Sequence, residues 1–251
     1  HFLTRPEIAG WVADAALLTP ETTVLEIGPG HGILTRELLK RAGKVIAVEK
    51  DAALVAELRD TFTTELASRK LILVEEDVRD YDPDTADSLL PAAYSLVANI
   101  PYYLTGYIIR KFLTAQHQPT HMALLVQKEV AERIVTYDGK GSLLSNSVCI
   151  YGTPELKRTV KAGAFTPPPK VDSAILSITD ISRHRFSDAD EEQRFFEILR
   201  AGFANKRKQL AGNLKGILSA EAFVTCNITE KARAEELSLD EWICLVGNQA
   251  K

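Results

Sequence analysis

The tetrapeptide Asn99-Ile100-Pro101-Tyr102 closes an apolar run, Tyr94-Ser95-Leu96-Val97-Ala98, that reads as a buried strand. An Asn-x-Pro-Tyr at the carboxyl end of a strand suits one kind of chemistry. The exocyclic amino group of a planar heteroaromatic ring is a poor nucleophile, because its lone pair is delocalised into the ring. A neutral Asn carbonyl and the next backbone carbonyl can accept both of its N–H bonds. That holds the nitrogen nearer tetrahedral and aims its lone pair outward. Pro101 fixes its own φ and removes a donor, so the turn presents carbonyls. Tyr102 can stack on the ring. The plainer alternative is a strand-ending turn, for which Asn and Pro are ordinary residues.

An electrophile for such an amine is indicated upstream. Glu26-Ile27-Gly28-Pro29-Gly30-His31-Gly32 follows a short apolar run. Glycines between a strand and a helix let a ligand approach the backbone closely. The spacing is Gly-x-Gly-x-Gly, not the Gly-x-Gly-x-x-Gly that cradles a pyrophosphate. Glu26 would repel a phosphate but tolerate a cationic amine. Glu49 ends a second run, about 20 residues on, where a ribose diol is gripped in nucleotide-binding sheets. Asp77, ending a third, can accept from an adenine amino group. The loop, Glu49 and Asp77 make an adenosine site with no phosphate requirement, which points to S-adenosyl-L-methionine. Asn99 then falls beside the switch in strand order where open α/β sheets bind ligands. No general base is required, since the attacking amine becomes acidic only after transfer. The protein contributes positioning and electrostatics. Phe165, before Pro167-Pro168-Pro169, is a candidate second stacking wall, with core packing as its alternative.

The elements that must hold these residues alternate. Strands are expected at Thr23–Ile27, Lys44–Glu49, Lys70–Val74, Tyr94–Ala98 and His121–Gln127. Helices are expected after the glycine loop to near Gly43, over about Asp51–Ala67, from a Thr105 cap, and over about Leu143–Tyr151. Runs at Leu156–Lys161 and Ser173–Thr179 look like an antiparallel addition. The expected fold is a Rossmann-like methyltransferase domain over residues 1–182. It has a mostly parallel seven-stranded sheet with an antiparallel last strand. A small all-α domain is expected over residues 183–251.

With 251 residues, 45% hydrophobic and 25% charged, the chain has an ordinary globular composition. Cys149, Cys226 and Cys244 are scattered and odd in number, so reduced thiols in a cytoplasmic protein are expected, and no zinc site. No His-Glu-x-x-His pattern suggests another metal. Pro91, Asn99 and Pro101 interrupt the uncharged stretch near Ser88–Ile109, which argues against a membrane span. The first residue is not Met, so upstream residues are expected to be missing. The net charge of −4 is segregated. Arg200, Lys206, Arg207, Lys208 and Lys215 share a segment without acids, as do Lys157, Arg158, Lys161 and Lys170. These are candidate RNA-facing surfaces, with solvated faces as the alternative.

Nearly the whole length resembles the KsgA family of small-subunit ribosomal RNA adenine N6-dimethyltransferases. His1-Phe2-Leu3 resembles the end of that family's amino-terminal Gln-x-Phe-Leu motif, Val24 to Gly32 its donor loop, and Asn99 to Tyr102 its catalytic motif. Gly163 to Ala174, with the triple proline, is the most specific stretch. Phe203 to Leu214 resembles a basic helix of the family's second domain. The resemblance implies donor contacts at His1, Leu3, Gly28, Glu49, Asp77 and Asn99, and acceptor contacts at Asn99, Tyr102 and Phe165. The segregated charge assigns RNA contacts to the resembling segment at Lys206, Arg207 and Lys208, helped by Lys157, Arg158 and Lys161. The resemblance also implies two methylations of each of two adjacent adenosines near the 3′ end of the small-subunit RNA. The partner is then that RNA or the immature small subunit, with the enzyme a monomer. Tyr103 departs from the smaller polar residue of many relatives, and either tightens the pocket or packs. Lys206 replaces a frequent Arg, which keeps charge but loses a planar fork. Competing readings are the sister dimethylases of large-subunit RNA, a non-catalytic nucleic-acid binder on the same fold, and a nicotinamide dehydrogenase. The glycine spacing and Glu26 disfavour the last.

Overall fold

The computed structural model describes residues 2–85, 90–135, 141–229 and 231–248. The chain forms two compact units. One takes residues up to Glu132 together with Gly152–Ile181; the other takes Arg133–Tyr151 together with Ser182 onward.

The first unit contains strands β1 (Phe2–Leu3), β2 (Thr23–Ile27), β3 (Lys44–Glu49), β4 (Leu71–Glu75), β5 (Ser95–Asn99), β6 (His121–Gln127), β7 (Thr153–Val160), β8 (Phe165–Thr166) and β9 (Ser173–Thr179). Seven of them form one sheet in the order β4-β3-β2-β5-β6-β9-β7. The five from β4 to β6 run parallel, while β9 is antiparallel to both its neighbours. The expected mostly parallel sheet with an antiparallel last strand is therefore present. β9 does not extend the edge, however; it inserts between β6 and β7. β2 is buried at every residue and β3 from Val45 onward. Such strands read as continuous apolar runs because helices cover both faces of a parallel sheet.

The helices beginning in this unit are α1 (Pro6–Ala15), α2 (Ile33–Arg41), α3 (Ala52–Thr61), α4 (Thr63–Ala67), α5 (Thr105–Thr114) and α6 (Lys128–Val135). The proline opening α1 is tolerated because a first-turn N–H has no helical partner. The long helix expected to Ala67 breaks at Phe62, whose φ of −113° and ψ of 36° leave the helical region. Thr105 does not cap α5. It is the first residue of that helix, and its buried hydroxyl has no hydrogen-bond partner.

The second unit is helical: α7 (Leu143–Cys149), α8 (Ala189–Gly202), α9 (Leu210–Asn213), α10 (Ala220–Thr225) and α11 (Leu239–Gly247). α7 belongs here although it precedes β7 in the chain. Asp188 caps α8 by accepting from the Glu191 N–H at 2.7 Å, and Ser238 forms a capping box with Glu241. Phe195, Ile198, Leu199, Trp242 and Leu245 fill the core. The expectation of reduced thiols is corrected here. Cys226 caps the carboxyl end of α10 and α11 returns past it, so Cys226 and Cys244 lie 5.8 Å apart at Cα and are disulfide-bonded. Eighteen residues of separation hid a pairing that the helical turn-back creates. Cys149 is free.

Among the described residues no helix is long and apolar enough to cross a membrane, and no group of three or more His, Cys, Asp or Glu could hold a metal ion.

Candidate active site

Strand order assembles the site. β4, β3, β2 and β5 are parallel neighbours, so their carboxyl ends share one edge. Glu49 ends β3, the glycine loop follows β2, Asn99 ends β5, and Asp77 lies two residues beyond β4. The chain order reverses between β2 and β5, which is the switch point where open α/β sheets bind ligands.

The loop bends through left-handed backbone at Gly28 (φ 67°), Gly30 (57°) and Gly32 (76°), conformations that favour glycine. The Gly28 N–H donates to the Val48 carbonyl at 2.9 Å, and the Gly30 N–H to Glu49 Oε2 at 3.2 Å. Glu49 Oε1 accepts from the Lys50 and Asp51 N–H groups at 2.9 and 3.1 Å. Glu49 thus ties the loop to the next strand end. A Cβ on Gly28 would meet nothing within 4 Å, so the backbone there is open to a ligand.

Glu26 is wholly buried, and neither carboxyl oxygen has a hydrogen-bond partner. Burial raises its pKa to about 8. The Thr35 hydroxyl beside it opposes that rise, and the charge of Glu49 adds to it. Asp77 is held in the opposite state. Arg79 donates to it through Nε at 3.0 Å, Nη2 at 2.6 Å and its backbone N–H at 2.9 Å, which keeps the carboxyl well below the usual carboxylate range. A ligand amino group would share Asp77 with Arg79.

On the acceptor side, the Ile100 N–H donates to Leu125 at 3.2 Å, extending the sheet by one residue past Asn99. Pro101 has φ −55°, and Tyr102–Leu104 make a single 3₁₀ turn. The Tyr102 hydroxyl hydrogen-bonds Ser173 Oγ of β9 at 2.8 Å, which fixes the ring.

β1 and β8 pair as a two-stranded bridge, Phe2 against Thr166 and Leu3 against Phe165. Thr4 clamps it, its N–H and hydroxyl both donating to the Ala164 carbonyl at 3.1 and 2.9 Å. Donor and acceptor candidates distant in sequence are joined here. Leu3 and Phe165 are both buried within the core cluster. Phe2, not selected from the sequence, lies on the glycine loop. Its ring is 3.0 Å from where a Gly30 Cβ would stand and 4.6 Å, centroid to centroid, from the His31 ring. The resemblance of Phe2-Leu3 to a family motif was the available signal. His1 lies outside the described residues.

The basic candidates differ in character. Lys157 pairs with Glu155 at 2.5 Å and Lys161 with Asp172 at 2.8 Å, while the Arg158 guanidinium lies 4.1 Å from the centre of the Trp11 ring. Lys206, Arg207 and Lys208 are all exposed, and among the described residues they have no ion-pair partner. They do not lie on a helix, contrary to expectation, but in a turn between α8 and α9. Asn213 Nδ2 donates to the Gly202 and Asn205 carbonyls at 2.7 and 3.1 Å, and the Lys208 N–H donates to the same Asn205 carbonyl at 3.0 Å, closing the turn.

A family model described as Ribosomal RNA adenine dimethylase matches residues 1–250. A Ribosomal RNA small subunit methyltransferase A of Dehalococcoides mccartyi is 41% identical over 98% of this chain and 86% of the relative. One from Acaryochloris marina is 37% identical over 98% and 93%. Among solved structures, a dimethyladenosine transferase from Plasmodium falciparum superposes with a TM-score of 0.82 at 25% identity, and the 23S rRNA methyltransferase ErmE with 0.78 at 25%. Both cover 99% of either chain. The chain belongs to the ribosomal RNA adenine dimethylase family.

Proposed function

We propose that the protein transfers methyl groups from S-adenosyl-L-methionine to N6 of two adjacent adenosines near the 3′ end of small-subunit ribosomal RNA, giving N6,N6-dimethyladenosine. One observation carries this reading: neighbouring strand ends bear Asp77, Glu49, the glycine loop and Asn99, in that order across the sheet.

The residues fit the donor. Its sulfonium supplies an electrophilic methyl when bound. The unpartnered, buried Glu26 carboxyl suits an amino-acid ammonium. Gly28 and Gly30 admit the tail, Glu49 takes the ribose hydroxyls and Asp77 the adenine amino group. Phe2 covers the loop, flanked by His1 and Leu3. Asn99 and the turn that follows accept from the target amine and aim its lone pair. Tyr102, pinned by Ser173, stacks on the target ring; Phe165, proposed as the second wall, presents only the 4% of its surface that the core leaves exposed. The methylated nitrogen loses its proton to water. The exposed Lys206, Arg207 and Lys208 take RNA phosphates. Lys157, Arg158 and Lys161 contribute less, since each already has a partner. The enzyme works as a monomer, without metal, in the cytoplasm where small subunits mature.

The large-subunit alternative shares this fold, as the 23S enzyme's TM-score of 0.78 illustrates. The curated relatives at 37% and 41% identity bear small-subunit names and favour the first reading. A nucleotide-resolution methylation map of ribosomes treated with the protein tests it. Two adjacent dimethyladenosines in small-subunit RNA are expected. Label confined to large-subunit RNA would overturn the assignment.

A further inference from the structure

Tyr103, the residue after Tyr102, is 78% exposed, more than any other large apolar or aromatic side chain among the described residues. That exposure fits neither a tightened pocket nor core packing. Tyr103 lies in the 3₁₀ turn that leads into α5, where Gly106, Tyr107 and Arg110 follow three, four and seven positions on at spacings that share one face of the helix. The opposite face, Ile108, Ile109, Phe112 and Leu113, is buried. Gly106 and Arg110 are exposed, and a Cβ on Gly106 would meet nothing within 4 Å. A flat strip of backbone therefore separates two tyrosines.

Tyr107 is fixed in place. Its hydroxyl donates to the Arg79 carbonyl at 3.2 Å, and Lys111 Nζ donates to the same oxygen at 2.9 Å while lying 5.7 Å from the Tyr107 ring centre. A groove of 360 Å³ runs alongside, between Tyr107, Arg110 and Lys111 on one side and Asp82 and Asp84 on the other. Those two carboxylates are engaged with backbone. Asp84 accepts from the Gln116 and His117 N–H groups at 3.0 and 2.7 Å, and Asp82 from the Asp84 N–H at 3.0 Å.

We propose that the stripe Tyr103-Gly106-Tyr107-Arg110 is a platform for the single-stranded RNA flanking the target adenosine, with Tyr103 stacking on the adjacent base and Arg110 meeting a phosphate. This rests on reading Asn99–Tyr102 as the seat of the target adenine. Continuity with that seat and the chemistry of the stripe select the occupant. A target base drawn out of its stack leaves its neighbour's face uncovered. An exposed aromatic one residue along the chain replaces the lost stacking, and in a site of two adjacent adenosines that neighbour is the other substrate. Aromatic side chains interleaved with cations are the usual lining of single-strand tracks.

The test compares Tyr103→Ala, Tyr103→Phe and Gly106→Glu with wild type. Gly106→Glu enters open space on a helix and leaves packing intact. Methylation is measured against the concentration of unmodified small subunits, and binding against a single-stranded RNA oligonucleotide containing the two adjacent adenosines. Tyr103→Ala should raise KM for the subunit and Kd for the oligonucleotide roughly 5- to 100-fold, the range that base–aromatic stacking allows, and Gly106→Glu should raise both at least about 5-fold by setting a carboxylate against the RNA. Tyr103→Phe should stay within about twofold of wild type, because the stacking face survives. Donor affinity should not change. Wild-type KM and Kd in both Tyr103→Ala and Gly106→Glu would overturn the platform while leaving the proposed function standing. A raised KM with unchanged oligonucleotide binding would also overturn it, since the stripe would then meet a ribosomal protein. Failure of wild type to methylate the subunit would instead strike the functional reading, and the oligonucleotide comparison would still decide the platform.

Discussion

Replacing Glu26 by Gln tests how the site receives the donor's charge. Burial holds the Glu26 carboxyl at a pKa of about 8, so at pH 7 about nine in ten molecules carry it protonated. An ammonium docked against it favours the ionised form, and an opposite charge at contact lowers such a pKa by about 1–3 units. Donor binding at pH 7 should then expel about 0.4–0.9 proton from Glu26. The free donor's own amine, with a pKa of about 7.7–8, takes up about 0.1–0.2 of that. The net release should be roughly half a proton per donor. Calorimetry at pH 7 in two buffers of different ionisation enthalpy reads it directly. In Glu26→Gln the release should vanish and donor affinity should fall about 10-fold, about 1.4 kcal/mol. Stability should follow the same group. The unfolded chain loses this proton near 4.5 and the folded chain near 8, so between those values the unfolded state binds fewer protons. Ligand-free stability should therefore fall as pH rises through that window, by up to about 1.4 kcal/mol per unit, and Glu26→Gln should flatten the slope. A binding enthalpy independent of buffer in wild type would refute the ammonium contact, as would an unchanged release in Glu26→Gln.

Glu49→Gln and Asp77→Asn should each weaken donor binding by roughly 1–3 kcal/mol; unchanged calorimetric affinity in both folded variants would remove them from the site. Changing Lys206, Arg207 and Lys208 together to Gln should weaken binding to small subunits and flatten its salt dependence by up to about 0.9 per lost phosphate contact, with donor affinity unaffected. Identical slopes would mark that turn as a merely solvated one. Alkylation of protein unfolded without reductant should label Cys149 alone, and reduction should expose all three cysteines. An 18-residue loop is worth about 3 kcal/mol of chain entropy, so reductant should lower the unfolding midpoint. Three labelled thiols without reductant would exclude the bond.

The shared edge of strand ends was legible because its signals are local. Apolar runs end in Glu26-to-Gly32, Glu49 and Asn99, and a parallel sheet places successive strand ends together without further information. His121–Gln127 and Ser173–Thr179 have the bounds expected of them for the same reason. What escaped depends on contacts between distant segments. The bridge between Phe2-Leu3 and Phe165-Thr166 spans two residues on each side, too short for any periodic signal. The Cys226–Cys244 bond depends on how α11 returns past α10. The segment at Lys206 is expected to be helical from its resemblance to a family helix; in the structure it is a turn, tied by the Asn213 side chain eight residues from Asn205. Thr105 resembled a cap, yet the 3₁₀ turn at Tyr102–Leu104 starts the helical winding before it.

The central claim is that Asn99 orients an adenosine amine toward a methyl donor held by the neighbouring strand ends. Single-turnover methylation of unmodified small subunits with labelled donor, followed by nucleoside analysis, tests it most directly in wild type and Asn99→Ala. Wild type should yield N6,N6-dimethyladenosine. Asn99→Ala should fold and bind donor nearly as well, yet transfer at least roughly 100-fold more slowly, as loss of a positioned polar group does in other enzymes. Near wild-type transfer by Asn99→Ala would contradict that assignment and require another group to orient the amine.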